Sequence, residues 1–280
     1  MTAGPAQPVL LVNPRSGGGK AARFDLVAQC RERGIEAIMF EPGDDLTMLA
    51  TAAVRDGADA LGMAGGDGSQ AAVAAVAADH GLPYVCIPAG TRNHFALDLG
   101  IDATDVAGAL DAFLDGQERR IDLGRVNGRL FVNNVAMGVY AAIVQSPAYR
   151  DHKMRTVIDM LPELVGPGAQ PYDLRFNGPD GRAHESATVL LVSNNRYGVD
   201  PRPQRGTRGD LAGGVLGVIA LAGPPPVGLT EWSTPTFRVD SATPIALGID
   251  GESVEMEPPL DFELLPLALR IRTPPRRRRR

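Results

Sequence analysis

The chain has 280 residues, of which 44% are hydrophobic and 22% charged, with a formal net charge of −5. That length suits two domains with a core that needs no covalent staples, and the composition excludes a largely disordered chain. An acidic balance without a basic stripe interleaved with aromatics argues against nucleic acid as a partner.

Short apolar strands alternate with helical periods through the first part of the chain. Strands are predicted at residues 9–13, 36–40, 58–63 and 84–87, and helices at 21–33, 46–56, 69–79 and 103–114. Such alternation indicates βαβ units, hence an α/β domain with a doubly wound parallel sheet over residues 1–118. After Gly116 the texture changes. Strand-like runs at 120–126 and 129–135 flank Asn127-Gly128, a preferred two-residue hairpin turn. Further runs follow at 172–176, 187–193, 215–222, 236–239, 245–249 and 262–272, with Asn177-Gly178, Asp180-Gly181 and Asp250-Gly251 as turn signals. Many short strands with frequent turns predict a β-sandwich over residues 119–273. Residues 149–164, rich in Arg150, Lys153 and Arg155, read as a helix or lid.

Residues 274–280 form a tail ending in Arg276–Arg280, whose like charges repel and predict disorder. Such a tail can bind anionic lipid headgroups at roughly 1 kcal/mol per basic residue near the surface, or remain solvated without a partner. The longest apolar stretch, residues 211–223, is broken by glycines and stopped by Pro224-Pro225-Pro226, too short for a bilayer span. Residues 1–8 lack the basic start of a signal peptide, so a cytoplasmic protein is expected. Cys30 and Cys86 fall in a helical and a buried-strand pattern and read as small buried hydrophobes. His80, His94, His152 and His184 show no metal-ligand spacing.

Three glycine-bearing segments follow predicted strands: Asn13-Pro14-Arg15-Ser16-Gly17-Gly18-Gly19-Lys20, Gly65-Gly66-Asp67-Gly68-Ser69 and Pro88-Ala89-Gly90-Thr91-Arg92-Asn93. Loops at the carboxyl ends of parallel strands gather on one sheet edge, where backbone N–H groups and helix starts converge on an anion, usually a phosphate. One nucleotide could touch all three. Gly66-x-Gly68-x-x-Ala71 also fits the dinucleotide fingerprint, but residues 84–88 carry no carboxylate for a ribose. A Walker A loop fails because Ala21 follows Gly19-Lys20. Taken alone, Asp67, Thr91 and Asn93 read equally as turn and helix-cap residues, and Asp250-Gly251-Glu252 as a hairpin turn.

Together these residues resemble the diacylglycerol kinase catalytic domain family, which includes sphingosine, ceramide and bacterial lipid kinases. The matching motifs are Asn13-Pro14-x-Ser16-Gly17, Gly65-Gly66-Asp67-Gly68-Ser69, Pro88-x-Gly90-Thr91-x-Asn93 and Asp250-Gly251-Glu252, in family order over nearly the whole chain. The resemblance implies an ATP-dependent kinase acting on the hydroxyl of diacylglycerol or a similar lipid alcohol. It places Asn13, Ser16, Gly17, Gly65, Gly66, Asp67, Gly68, Ser69, Gly90, Thr91 and Asn93 around ATP, with magnesium (Mg2+) at Asp67. Asp67, Asp250 and Glu252 become the catalytic set, Glu252 acting as base for the lipid hydroxyl, and Asp98 and Asp122 are candidates for the same charged network. The partner implied is a lipid at the inner face of a membrane, reached by peripheral contact; homodimerisation is left open.

The chain departs from the family pattern in several places. Ser69 replaces the usual Thr, Ala71-Ala72 the usual Asn-Glu pair, and His94 the Asp after Asn93. Gly213-Gly214-Val215-Leu216 stands where relatives carry an Asp-Gly-x-Leu segment holding a structural magnesium, which implies loss of that site. Two rival readings are an NAD kinase and a catalytically inactive nucleotide or lipid sensor.

Overall fold

The computed structural model describes residues 4–139, 171–197, 208, 210–222 and 228–275. The segment 149–164 and the tail arginines 276–280 lie outside the described residues. The chain forms two compact units. The first takes in residues 4–123, 208, 210–212 and 266–275; the second takes in 124–139, 171–197, 213–222 and 228–265.

In the first unit, β1 (Pro8–Val12) leads into α1 (Ser16–Arg23), α2 (Leu26–Glu32) and β2 (Glu36–Met39). Then come α3 (Leu46–Arg55), β3 (Ala60–Ala64), α4 (Asp67–Asp79), β4 (Pro83–Ile87) and α5 (His94–Asp98). The strands pair in parallel in the order β2-β1-β3-β4, and Arg270, Ile271 and Arg272 add a further parallel strand beside β4. Every residue of β1, β3 and β4 is buried, as expected for central parallel strands covered on both faces. Asp45 starts α3 by accepting hydrogen bonds from the Thr47 and Met48 N–H groups. Small side chains let α4 press against both β3 and α3: Ala71, Ala74 and Ala77 are buried with Val73 and Val76.

Two helical expectations in this unit fail for local reasons. The helix expected over 21–33 is broken at Asp25, whose left-handed φ of 46° restarts the chain so that Leu26 and Cys30 turn fully into the core. Its start agrees with the expectation, because Gly17, Gly18 and Gly19 in α1 are left-handed, at φ 57°, 69° and 81°, and regular helix begins only after Gly19. Over 103–114 only a short 3-10 turn forms, Gly108–Phe113. Here Asp102 accepts from the Thr104 N–H and Asp105 from the Gly108 N–H, which diverts the backbone from a regular helix.

The strand β5 (Gln117–Val126) carries the chain into the second unit. There it turns through Asn127 and Gly128, at φ 44° and 84°, into β6 (Arg129–Phe131), the expected hairpin. The remaining strands are β7 (Asn134–Gly138), β8 (Phe176–Asn177), β9 (Ala183–His184), β10 (Ala187–Asn194), β11 (Leu216–Ala222) and β12 (Gly228–Thr234). They are followed by β13 (Thr236–Val239), β14 (Ile245–Ile249), β15 (Glu252–Met256) and β16 (Leu260–Thr273), the last returning to the first unit.

An antiparallel sheet of order β12-β11-β10-β7-β14-β15 forms one layer. Within this unit, β5, β6, β13 and the first part of β16 form the second. The expected sandwich is present, because one core receives Met137, Leu190, Val192 and Val218 from the first layer and Phe131, Phe237, Leu260 and Phe262 from the second. The strand expected over 172–176 shrinks to a bridge between Tyr172 and Ala187 plus Phe176–Asn177. Sequence patterning misses β12 and β15, which lie at the two edges of the six-stranded layer and are largely solvent-facing, where apolar alternation is weakest.

Candidate active site

The three glycine segments of the first unit meet. The ladder between β1 and β3 runs on into the loops through the Asn13 N–H, which donates to Ala64 O at 2.9 Å, while Asn13 Oδ1 accepts from the Arg15 N–H. A Cβ on Gly90 would stand 2.7 Å from Gly66 Cα and 2.9 Å from Gly65 O. One on Gly17 would stand 2.5 Å from Ala89 O, and one on Gly66 would reach Ser16 Oγ at 4.0 Å. Only glycine at positions 17 and 90 lets the backbones approach so closely, and at Gly17 the left-handed φ adds a second reason. Ser16, Gly17, Gly65, Gly66 and Gly90 are therefore brought together.

Polar side chains hold this junction in place. Lys20 Nζ donates to Gly90 O at 3.0 Å and Pro88 O at 3.3 Å, tying the first loop to the third. Burial first, and the neighbouring Arg23 second, hold the Lys20 ammonium below its ordinary value. Gln70, buried in the first turns of α4, donates through Nε2 to Met63 O and Ile87 O, both at 3.0 Å. The Tyr84 hydroxyl donates to Gln70 Oε1, and burial keeps that phenol well above its usual value, so it stays a donor. Asn93 is left-handed (φ 57°) and donates through Nδ2 to Gly90 O at 3.1 Å. Its Oδ1 is buried without a hydrogen-bond partner and lies 2.8 Å from where a Gly90 Cβ would be. A buried orphan acceptor beside a glycine cradle is a place for a ligand donor.

Asp67 stands at the first position of α4 and caps the next helix. Its Oδ1 accepts from the Phe95 N–H at 3.0 Å and its Oδ2 from the His94 N–H at 3.3 Å, so the carboxylate sits at the start of α5 beside Asn93. Gly68 and Ser69 occupy the first turn of α4, and Thr91 is exposed in the third loop. Each carboxylate oxygen of Asp67 keeps lone pairs beyond these bonds. Among the described residues no three His, Cys, Asp or Glu side chains cluster as a metal cage. A single carboxylate beside a phosphate cradle still fits magnesium, which is commonly held by one or two carboxylates plus substrate phosphates.

The second unit holds Asp250-Gly251-Glu252. Asp250 and Gly251 are left-handed at φ 48° and 87° and join β14 to β15 as a two-residue turn. The Asp250 side chain reaches the β6–β7 connection. Its Oδ2 accepts from the Val132 N–H at 2.8 Å and its Oδ1 from the N–H groups of Asn133 and Asn134, at 2.7 and 3.1 Å. That is the work of a backbone clamp. Glu252, half exposed, has Oε2 at 2.9 Å from Arg129 Nη2, while the structure gives Oε1 no hydrogen bond among the described residues. The hairpin turn and the accessible carboxylate thus coexist on adjacent residues.

Asp98 and Asp122 are both structural partners in the first unit. Asp98 pairs with Arg208. Asp122 is fully buried, accepting through Oδ1 from the Leu267 N–H at 2.8 Å where that residue turns left-handed at φ 52°. From sequence alone Lys20 enters only within the first glycine segment and the failed Walker A pattern, and Gln70, Arg129 and Arg208 carry no role. Of these only Gln70, a lone amide in an alanine and valine run, and Lys20, directly after three glycines, carried a local signal.

Residues 7–126 match the diacylglycerol kinase catalytic domain family. A protein of Pseudomonas aeruginosa strain PAO1 named "Probable lipid kinase YegS-like" is 31% identical over 301 aligned positions, covering 95% of this chain and 94% of the relative. A diacylglycerol kinase of Mycobacterium tuberculosis H37Rv is 34% identical over 200 positions, 67% of this chain but only 65% of that enzyme's length. A solved diacylglycerol kinase structure from Bacillus anthracis superposes over 97% of this chain and 98% of its own, with a TM-score of 0.68 at 16% identity, a likeness of fold.

Proposed function

Because the chain belongs to the diacylglycerol kinase catalytic domain family, we propose that it transfers the terminal phosphoryl group of ATP to the hydroxyl of a lipid alcohol such as diacylglycerol. The observation that carries this reading is the convergence of the three glycine segments, with Gly90 pressed against Gly65 and Gly66 and the orphan Asn93 Oδ1 beside them. Phosphoryl transfer asks mainly for positioning and charge neutralisation, which such a cradle provides.

In this mechanism the loops around Ser16, Gly17, Gly66 and Gly90 receive the phosphates, and Asn93 Oδ1 accepts from a nucleotide donor. Magnesium, when bound with ATP, neutralises phosphate charge, and Asp67 is the residue that would hold it. Lys20 and Gln70 keep the loops in register. Glu252 accepts the proton of the lipid hydroxyl at Oε1, oriented by Arg129 at Oε2. Asp250 shapes the turn that carries Glu252.

Incubation with γ-labelled ATP and either a lipid extract or NAD tests the reading. Label in the organic phase supports it. Label in NADP replaces it with an NAD kinase, and absence of transfer with retained nucleotide binding replaces it with a sensor.

A further inference from the structure

We propose that Arg208 is a positioning residue for the nucleotide cradle, acting through Asp98 at the far end of α5; the proposal rests on the kinase reading above. The helix has only five residues, too few to hold its own conformation in water. Its placement must come from what grips it. At its start the grip is Asp67, through the His94 and Phe95 N–H groups. At its end Asp98 Oδ1 accepts from the Arg208 backbone N–H at 2.8 Å, and Oδ2 accepts from Nε at 2.8 Å and Nη2 at 2.7 Å.

The Arg208 side chain is 0% exposed and that of Asp98 3%, whereas the Arg129–Glu252 and Arg238–Asp261 pairs are 40% or more exposed on both sides. Exposed pairs restrain little, while a desolvated pair with several charge-assisted bonds has one geometry. Between the two grips Phe95 and Ala96 are buried, so α5 behaves as a rigid bar from Asp98 to Asp67 and Asn93. The pair ties residues 110 positions apart in the chain. Removing the guanidinium would leave the buried Asp98 side chain with the Arg208 N–H but without its charged partner, a cost relieved by taking up a proton or by moving α5, and either outcome loosens the grip on the helix end. That movement reaches Asp67 and Asn93 directly.

The test compares Arg208→Met, Arg208→Lys and Asp98→Asn with the parent in amide hydrogen exchange and in steady-state kinetics well below the melting temperature. Exchange at His94 and Phe95 should rise about 10-fold or more in Arg208→Met. Its kcat should fall about 10- to 100-fold while the KM for lipid stays put, since the displaced groups serve the nucleotide. Arg208→Lys, keeping charge without the fork, should recover part of both effects. A part with a merely structural role would lower the melting temperature and leave kcat untouched, which overturns the proposal. Parent-like exchange at His94 and Phe95 in Arg208→Met overturns it too. Should that variant not fold, the same readouts in Arg208→Lys and Asp98→Asn decide. The exchange measurement needs no turnover, so an inactive parent would defeat the kinase reading while still judging the clamp.

Discussion

Adjacent residues at the β14–β15 turn have opposite duties. Asp250 gives both oxygens to three backbone N–H groups, while Glu252 keeps one oxygen without a partner among the described residues. Asp250→Asn would set an amide NH2 against backbone donors and should destabilise the fold by about 1–3 kcal/mol, read as a lower denaturant midpoint. Glu252→Gln should change stability by less than about 0.5 kcal/mol, because its side chain is half exposed. Its kcat should nonetheless drop about 100- to 10,000-fold with nucleotide affinity unchanged, since the amide cannot take a proton. Near-parent turnover in Glu252→Gln would leave the motif as a turn and nothing more. The sequence pointed to both the turn and the carboxylate, and the resemblance gave Glu252 the base's role and Asp250 a catalytic one; that Asp250 is a backbone clamp was not legible, because it depends on the distant N–H groups of Val132, Asn133 and Asn134.

At the scale of elements, the cradle was legible wherever glycine forced it. Gly65-Gly66-Asp67-Gly68 and Pro88-x-Gly90 announced a strand end and a close approach, and Gly90 meets Gly66 as that reading requires. What the fasteners hold was not legible, since Lys20, Gln70 and Arg208 act on carbonyls and a carboxylate far along the chain. Nor was α5, whose capping carboxylate comes from Asp67 instead of from its own sequence. Gly90→Ala tests the junction itself. The added methyl would meet backbone on two sides and Asn93 Oδ1 on a third, and backbone yields little. The φ of Gly90 is not in the left-handed region, so the expected loss is steric alone. The fold should lose about 1–3 kcal/mol, and calorimetric titration should show ATP binding weakened at least about 10-fold. Parent-like affinity would move the nucleotide elsewhere.

At the scale of the molecule, the α/β unit and the sandwich were both readable from the change in period near Gly116. What the pattern could not reveal was that the first unit recovers residues 266–275 from the chain's end, because a strand joining a parallel sheet looks the same from either side of a boundary. Among the described residues no helix is long and apolar enough to cross a membrane, whereas the lipid alcohol proposed as substrate would lie in one. The chain ends in Arg276–Arg280, directly after Pro274-Pro275, and carries a net charge of −5 overall. A protein of that net charge is repelled by an anionic surface unless a local basic cluster overrides the repulsion. We propose that the five arginines, at roughly 1 kcal/mol each near such a surface, dock the chain reversibly, and surface charges act only within a screening length of about 8 Å at physiological salt. Deleting residues 276–280 should therefore abolish sedimentation with phosphatidylserine vesicles at low salt, and raising salt should release the full chain in parallel. If attachment is the tail's whole role, turnover on a detergent-dispersed lipid alcohol should be unaffected by the deletion. Unchanged vesicle binding after the deletion would assign docking to another surface.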